Sequence, residues 1–198
     1  VNAMSDNQFA ASLIADDSYA GSATFLRVKK AIKDVFGTDN VLPAHQGRAC
    51  ENILAEAYVT PGKVALMNFH FTTTKAHVTR LQGTVEELVD PKGLIPQSDD
   101  PFKGNYNLEN LSQRIDEIGS ENVAFVRVEA GTNLIGGQPV SLENMLAVTD
   151  ICHEKGVKSV LDASLLQDNM YFMKMREPRC KYMEIRDIYR LLADRFDN

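Results

Sequence analysis

An α/β fold, with a mostly parallel sheet sandwiched by helices, is what this sequence predicts, and two patterns predict it. Short runs rich in apolar and β-branched residues recur at residues 64–71, 85–89, 123–129 and 157–163. Between them lie amphipathic stretches of roughly ten to fifteen residues, the length that crossover helices need to return the chain to the same end of a sheet.

Taken in order, residues 22–37 read as a helix: Phe25, Val28, Ile32, Val35 and Phe36 recur at helical spacing, and Gly37 closes it. A second helix starts around Gln46-Gly47-Arg48 and runs through Ile53, Leu54 and Ala57 to Tyr58, before a turn at Pro61-Gly62. A strand at 64–71, a helix at 73–81 and a short strand at 85–89 follow. Residues 90–107, rich in Pro, Gly, Asp and Lys, form a surface loop, and Asn107 is placed to cap a helix over 108–118. Next come a strand at 123–129 and a turn at Gly136-Gly137-Gln138-Pro139. Ser141 then caps a helix that ends near Lys155-Gly156. A strand at 157–163 and helices at 165–176 and 183–195 complete the chain, which has no internal repeat and no low-complexity tract. Two parts result: an N-terminal arm, residues 1–21, and a large domain, residues 22–198.

The composition is that of a globular protein, with 44% apolar and 24% charged residues. A net charge of -6 argues against a nucleic-acid partner or an anionic membrane, both of which favour a basic face. No apolar run approaches the roughly 18–20 residues of a bilayer span, and the opening VNAMS lacks the basic and apolar regions of a secretory signal. Cys50, Cys152 and Cys180 form no C-x-x-C pair, and His45, His70, His77 and His153 show no metal-ligand spacing. The expectation is a cytoplasmic protein with reduced thiols buried as small hydrophobes. Val1 is not an initiator, and the final LLADRFDN breaks off in a helix-to-strand crossing, so the sequence is expected to be a piece truncated at both ends.

In an open parallel sheet, ligands bind outside the carboxyl ends of the strands. That rule selects Phe71-Thr72, Gly131-Thr132-Asn133 and Asp162-Ala163-Ser164, and the helix start at Gln46-Gly47-Arg48 joins them as an anion site. Each has an ordinary structural use as well: Gly47 in a helix-entry turn, Phe71 in the core, Asn133 in a turn, Asp162 as a helix cap. Together they offer a phosphate cradle, an aromatic plate, an amide for a phenolic oxygen and an acid for a pyridinium nitrogen. Those are the four handles of pyridoxal 5′-phosphate.

Several strings carry a resemblance. They are NAMSD at 2–6, SYAGS at 18–22, PAHQGRA at 43–49, FTTT at 71–74, FKGN at 102–105, GGQPVS at 136–141 and NMYF at 169–172. In these the chain resembles the β-eliminating lyases, the tryptophanase and tyrosine phenol-lyase family of fold-type I pyridoxal-phosphate enzymes. The resemblance implies the large domain of that fold and elimination of an aromatic group from an amino acid, giving pyruvate and ammonia. It implies that Gln46, Gly47 and Arg48 hold the cofactor phosphate, Phe71 stacks on the ring, Asn133 bonds the ring's O3′ and Asp162 pairs with the ring nitrogen. Tyr19 matches a tyrosine that reaches a neighbouring subunit's site, implying a homodimer or homotetramer. Asp17 falls where the family binds a monovalent cation such as K+, and Thr72 matches the tyrosine phenol-lyase version of its position.

Two features depart from the pattern. The family's arginine three positions after the ring-nitrogen aspartate is Leu165 here, and the cofactor-bearing lysine is expected just beyond Asn198. Beside the lyase reading stand another pyridoxal-phosphate reaction, such as aldol cleavage or transamination, and a non-catalytic homologue. A nicotinamide-binding domain is disfavoured, because no G-x-G-x-x-G follows a strand.

Overall fold

A computed structural model describes residues 3–18 and 20–198. The chain forms two compact units, Val1–Leu42 and Pro43–Asn198.

The first unit holds two helices. The first, α1 (Asp6–Leu13), was not anticipated in the arm; Ser5 begins it, its hydroxyl accepting the Gln8 N–H at 3.1 Å. The second, α2 (Ala23–Phe36), lies where helical spacing places it, between a Ser22 cap and a left-handed Gly37 whose N–H closes on the Lys33 carbonyl. It clusters with the N-terminal segment and not with the sheet. Asp16 adds a second cap to α2, accepting the N–H groups of Ala23 at 2.7 Å and Thr24 at 2.9 Å. Hydrogen bonds from Thr24 lead the causes that hold its carboxyl down to about 2.

The second unit carries α3 (Gly47–Tyr58), β1 (Val64–Met67), α4 (Thr72–Arg80), β2 (Thr84–Glu87) and α5 (Leu108–Ile118), then β3 (Val123–Glu129), α6 (Leu142–Lys155), β4 (Ser159–Asp162), α7 (Leu166–Arg176) and α8 (Ile185–Ala193). All four strands pair in parallel, in the order β2-β1-β3-β4. At the β4 edge the Asn198 N–H reaches the Ser159 carbonyl and the Leu161 N–H reaches the Asn198 carbonyl, the exchange of a parallel neighbour.

Strand β3 is buried at every position, as a central parallel strand covered on both faces must be. On one face Phe125 packs with Ala65, Met67 and Val160 against Ala55 of α3 and Val78 of α4. On the other, Leu66, Val126 and Val128 meet Leu111 and Ile115 of α5, Met145 and Val148 of α6, Met170 and Met173 of α7, and Ile188 and Leu192 of α8. Helices therefore sandwich the sheet. Among the described residues no helix is long and apolar enough to cross a membrane.

β1 is shorter than its apolar run suggests, because Asn68 takes over from the ladder. Its fully buried amide accepts the Glu129 N–H at 3.0 Å and donates towards the carbonyls of Gly104 (3.0 Å) and Glu129 (3.2 Å) and the Thr132 hydroxyl (2.9 Å). This side chain fastens the end of β1 to the end of β3. Gly104 can approach so closely only because it has no side chain: a Cβ there would lie 2.5 Å from the Gln138 carbonyl oxygen and 2.6 Å from Thr132 Oγ1. Asn169 does the same work nearby, accepting the N–H groups of Gly131 (2.9 Å) and Val140 (2.8 Å) and donating to the Val140 carbonyl (2.8 Å). FKGN, GGQPVS and NMYF are thus the strings that tie the site's loops to the sheet.

Candidate functional site

A cavity of about 610 Å³ opens at the carboxyl ends of β3 and β4. Gln46, Gly47 and Arg48 from the start of α3, Phe71 from the start of α4, Asn133 from the loop after β3 and Asp162 from the end of β4 all line it. These are the six residues expected to cradle a cofactor, brought together from four separate parts of the chain. Thr72 does not line it: as the first residue of α4 its side chain is exposed. Tyr19 lies outside the described residues. Asp17 is exposed in the first unit, and among the described residues no group of three or more His, Cys, Asp or Glu side chains could hold a metal ion. Cys50 departs from the expectation of buried thiols; it is exposed and lines the cavity, whereas Cys152 and Cys180 are buried.

Three helices begin at this cavity, with Gln46, Phe71 and Leu165 as their first flanking residues, and none has a side-chain cap. By contrast, Ser5, Ser22, Asn107 and Ser141 cap α1, α2, α5 and α6 (α8 is uncapped as well). Unpaired N–H groups at the positive ends of helix dipoles favour an anion such as a phosphate. A Cβ at Gly47 would meet nothing within 4 Å, so the approach to α3 is open. Glu51 braces it, accepting the Thr73 hydroxyl at 2.5 Å and the Thr74 hydroxyl, which ties α3 to α4.

Asp162 does not cap α7. Its Oδ1 accepts the Ser164 N–H at 2.9 Å and the Ser164 hydroxyl at 2.6 Å in a turn, while Arg127 Nη2 donates to its Oδ2. Burial pushes this carboxyl up, but the Arg127 guanidinium and the Ser164 bonds outweigh burial and hold it below the usual aspartate value. Arg127 and Glu129 also line the cavity, and sequence reading missed both. The signal was present: two charges at alternate positions, on the face of Phe125, inside the otherwise apolar run VAFVRVE. Their side chains are 2% and 5% exposed, and Arg127 Nη1 lies 3.7 Å from Glu129 Oε2, with neither atom hydrogen-bonded. Burial raises the Glu129 carboxyl, and Arg127 only partly offsets this. Leu165 lies against bare backbone, since a Cβ on Gly131 (φ 75°) would come 2.8 Å from Leu165 Cβ.

Residues 1–197 match the family described as Beta-eliminating lyase. The chain is 38% identical over 187 residues to tyrosine phenol-lyase of Pasteurella multocida, covering 94% of this chain and 41% of that protein. With the same coverage it is 40% identical to tyrosine phenol-lyase of Clostridium tetani. Against that of Symbiobacterium thermophilum it is 34% identical over 196 residues, 99% of this chain and 43% of the other. The chain therefore spans about two-fifths of the length of these curated relatives. Among solved structures, it superposes on a protein of Exiguobacterium sp., provisionally described as an aromatic amino acid β-eliminating lyase/threonine aldolase, with a TM-score of 0.62, 15% identity and coverage of 96% of this chain and 48% of that one. It superposes on cystalysin from Treponema denticola, described as containing pyridoxal 5′-phosphate, with a TM-score of 0.55, 13% identity and coverage of 79% and 38%. At these identities the two structures share the fold.

Proposed function

This chain belongs to the β-eliminating lyase family, and from that premise we propose that it is the cofactor-cradling part of a pyridoxal-phosphate-dependent carbon–carbon lyase acting on an aromatic amino acid. Tyrosine is the substrate the named relatives favour, and pyruvate, ammonia and an aromatic leaving group are the products. One observation carries the reading: a phosphate-type helix start, an aromatic ring, an amide and a carboxylate converge on one cavity.

The residues present fit the cofactor. Uncapped N–H groups at α3 would hold the phosphate, Phe71 would lie on the ring, Asn133 would bond its phenolic oxygen and Asp162, already ionised, would accept from its ring nitrogen. Once bound, pyridoxal phosphate supplies the electron sink for carbanion chemistry at the amino acid's α-carbon. The chain's own part is to fix the ring between α3 and β4 and to keep a negative charge at Asp162. Sharing of the site between subunits, as a homodimer or homotetramer in the cytoplasm, belongs to the same proposal, as does a monovalent cation at Asp17. Exposed Phe9 and Leu13 on α1, Ile14 just after it and Leu26 on α2 support an assembly.

A second reading, another pyridoxal-phosphate reaction such as aldol cleavage or transamination, draws on the apolar Leu165 and the Arg127–Glu129 pair, which give this cavity its own charge pattern. The full-length protein should bind pyridoxal phosphate, seen as visible absorbance, and release pyruvate from tyrosine in a coupled lactate dehydrogenase assay. Cofactor binding without pyruvate from tyrosine or tryptophan, but with cleavage of a β-hydroxy amino acid or amino transfer to a keto acid, would select the second reading. Absence of cofactor binding would overturn both.

A further inference from the structure

We propose that Arg127 is a positioning residue for Asp162: reaching across from β3, it holds that carboxylate aimed into the cavity, with Glu129 as the balancing acid. The proposal deepens the cofactor reading and rests on it for its ligand, but its geometry stands without one.

Arg127 is among the largest fully buried side chains of the protein, and a guanidinium does not shed its proton. A buried cation of this kind is kept only where carboxylates meet it. Here two do, from different strands. Asp162 on β4 accepts from Nη2, and Glu129, two residues along on the same face of β3, stands 3.7 Å from Nη1. The Tyr106 hydroxyl, donating to the Arg127 carbonyl at 2.7 Å, fixes the backbone from which the side chain projects.

The division of labour on Asp162 is informative. Oδ1 is taken up by Ser164, through its N–H and its hydroxyl. Oδ2 has Arg127, and a carboxylate oxygen has room for a further donor. Rotation of the carboxylate would break bonds on both oxygens, so the remaining acceptor direction is fixed. The position three residues after Asp162 is Leu165, which brings no charge, so the cation in contact with Asp162 comes from β3. The other ionisable groups lining the cavity are Glu51 and Arg48 on α3 and Cys50 beside them; Glu51 is engaged by Thr73 and Thr74.

Two measurements on the full-length protein test this. The first needs no cofactor: titration of the Asp162 carboxyl by isotope-edited infrared or NMR, with Asp162→Asn to assign the signal. Wild type should titrate below the ordinary aspartate value. Arg127→Met should raise the midpoint above it, and Arg127→Lys should restore much of the difference. Glu129→Gln, which keeps the guanidinium and disturbs packing least, should leave Asp162 ionised at least as far down. An unmoved midpoint in Arg127→Met, or a raised one in Glu129→Gln with Arg127 intact, would overturn the proposal.

The second compares apoprotein affinity for pyridoxal phosphate with that for its analogue carrying carbon in place of the ring nitrogen. Arg127→Met should weaken the natural cofactor by about tenfold for each unit by which the Asp162 midpoint comes to exceed the pH of a mildly acid assay, and leave the analogue unchanged. Equal weakening of both would mean that Arg127 only supports the fold, against the proposal. Should wild type bind neither compound, the cofactor reading fails, and the carboxyl titration alone decides the role of Arg127.

Discussion

Asn68→Leu removes an amide while keeping the branched shape and heavy-atom count of the side chain, and the cost of the lost hydrogen bonds can be worked from the contacts. Asn68 is fully buried, so no water replaces what it gave up. The Glu129 N–H loses its acceptor and the Gly104 carbonyl loses its donor, while the Glu129 carbonyl keeps the Thr132 hydroxyl at 3.2 Å. Each buried backbone group left unpaired costs about 1–3 kcal/mol, giving about 2–6 kcal/mol for the two. Against the roughly 5–15 kcal/mol of a typical domain that is a large share. Urea unfolding followed by circular dichroism should show the midpoint falling at unchanged slope. Exchange of the Glu129 amide hydrogen should quicken by more than the global loss of stability explains. Cofactor binding should weaken too, because the loop carrying Asn133 is fastened through Thr132 to this side chain. A loss below about 1 kcal/mol with the Glu129 amide still protected would refute the account of Asn68 as the clasp between β1 and β3.

Glu129 has a folded-state pKa above its unfolded value, so the stability it contributes while protonated is lost as pH rises through the folded value. Glu129→Gln should therefore gain on wild type from pH 4 to pH 8 in urea unfolding, and a relative loss over that range would contradict the assignment. Asp16 has the opposite sign: its contribution is present above 3.8 and is lost as pH falls towards about 2. In Asp16→Asn, the part of the helical circular dichroism that wild type loses between those pH values should already be missing at neutral pH. Leu111→Ala on α5, fully buried, should cost about 2–5 kcal/mol by urea unfolding. The exposed Leu134→Ala should stay within about 0.5 kcal/mol, and similar costs for the two would mean that α5 does not seal the core.

Helix ends and the positions of the strands along the chain were legible because local chemistry writes them. Asn107 and Ser141 cap the helices they were expected to cap, and Gly37 and Gly156 end theirs in the left-handed region where glycine is at no disadvantage. The runs were legible as parallel strands because stretches of crossover-helix length separate them, and β1 and β3 are the most apolar because both of their faces are covered. Even the cavity's location followed from strand ends and one uncapped helix start.

Sequence alone thus determined the α/β class, the caps of α5 and α6, and six of the residues that meet at one cavity, though not Arg127 or Glu129. What it could not determine depends on partners distant in the chain. Thr72 follows Phe71 immediately, yet one lines the cavity and the other faces solvent, because the first turn of α4 rotates successive side chains apart. Asn68 ends β1 early only because Gly104 and Thr132 arrive beside it from 36 and 64 residues away. Arg127 looks like an interruption in an apolar strand until β4 sets Asp162 against it, 35 residues later. A buried charge has no meaning within its own segment: whether it is a defect or a fixed part of the site is decided by the opposite charge that the fold places within reach.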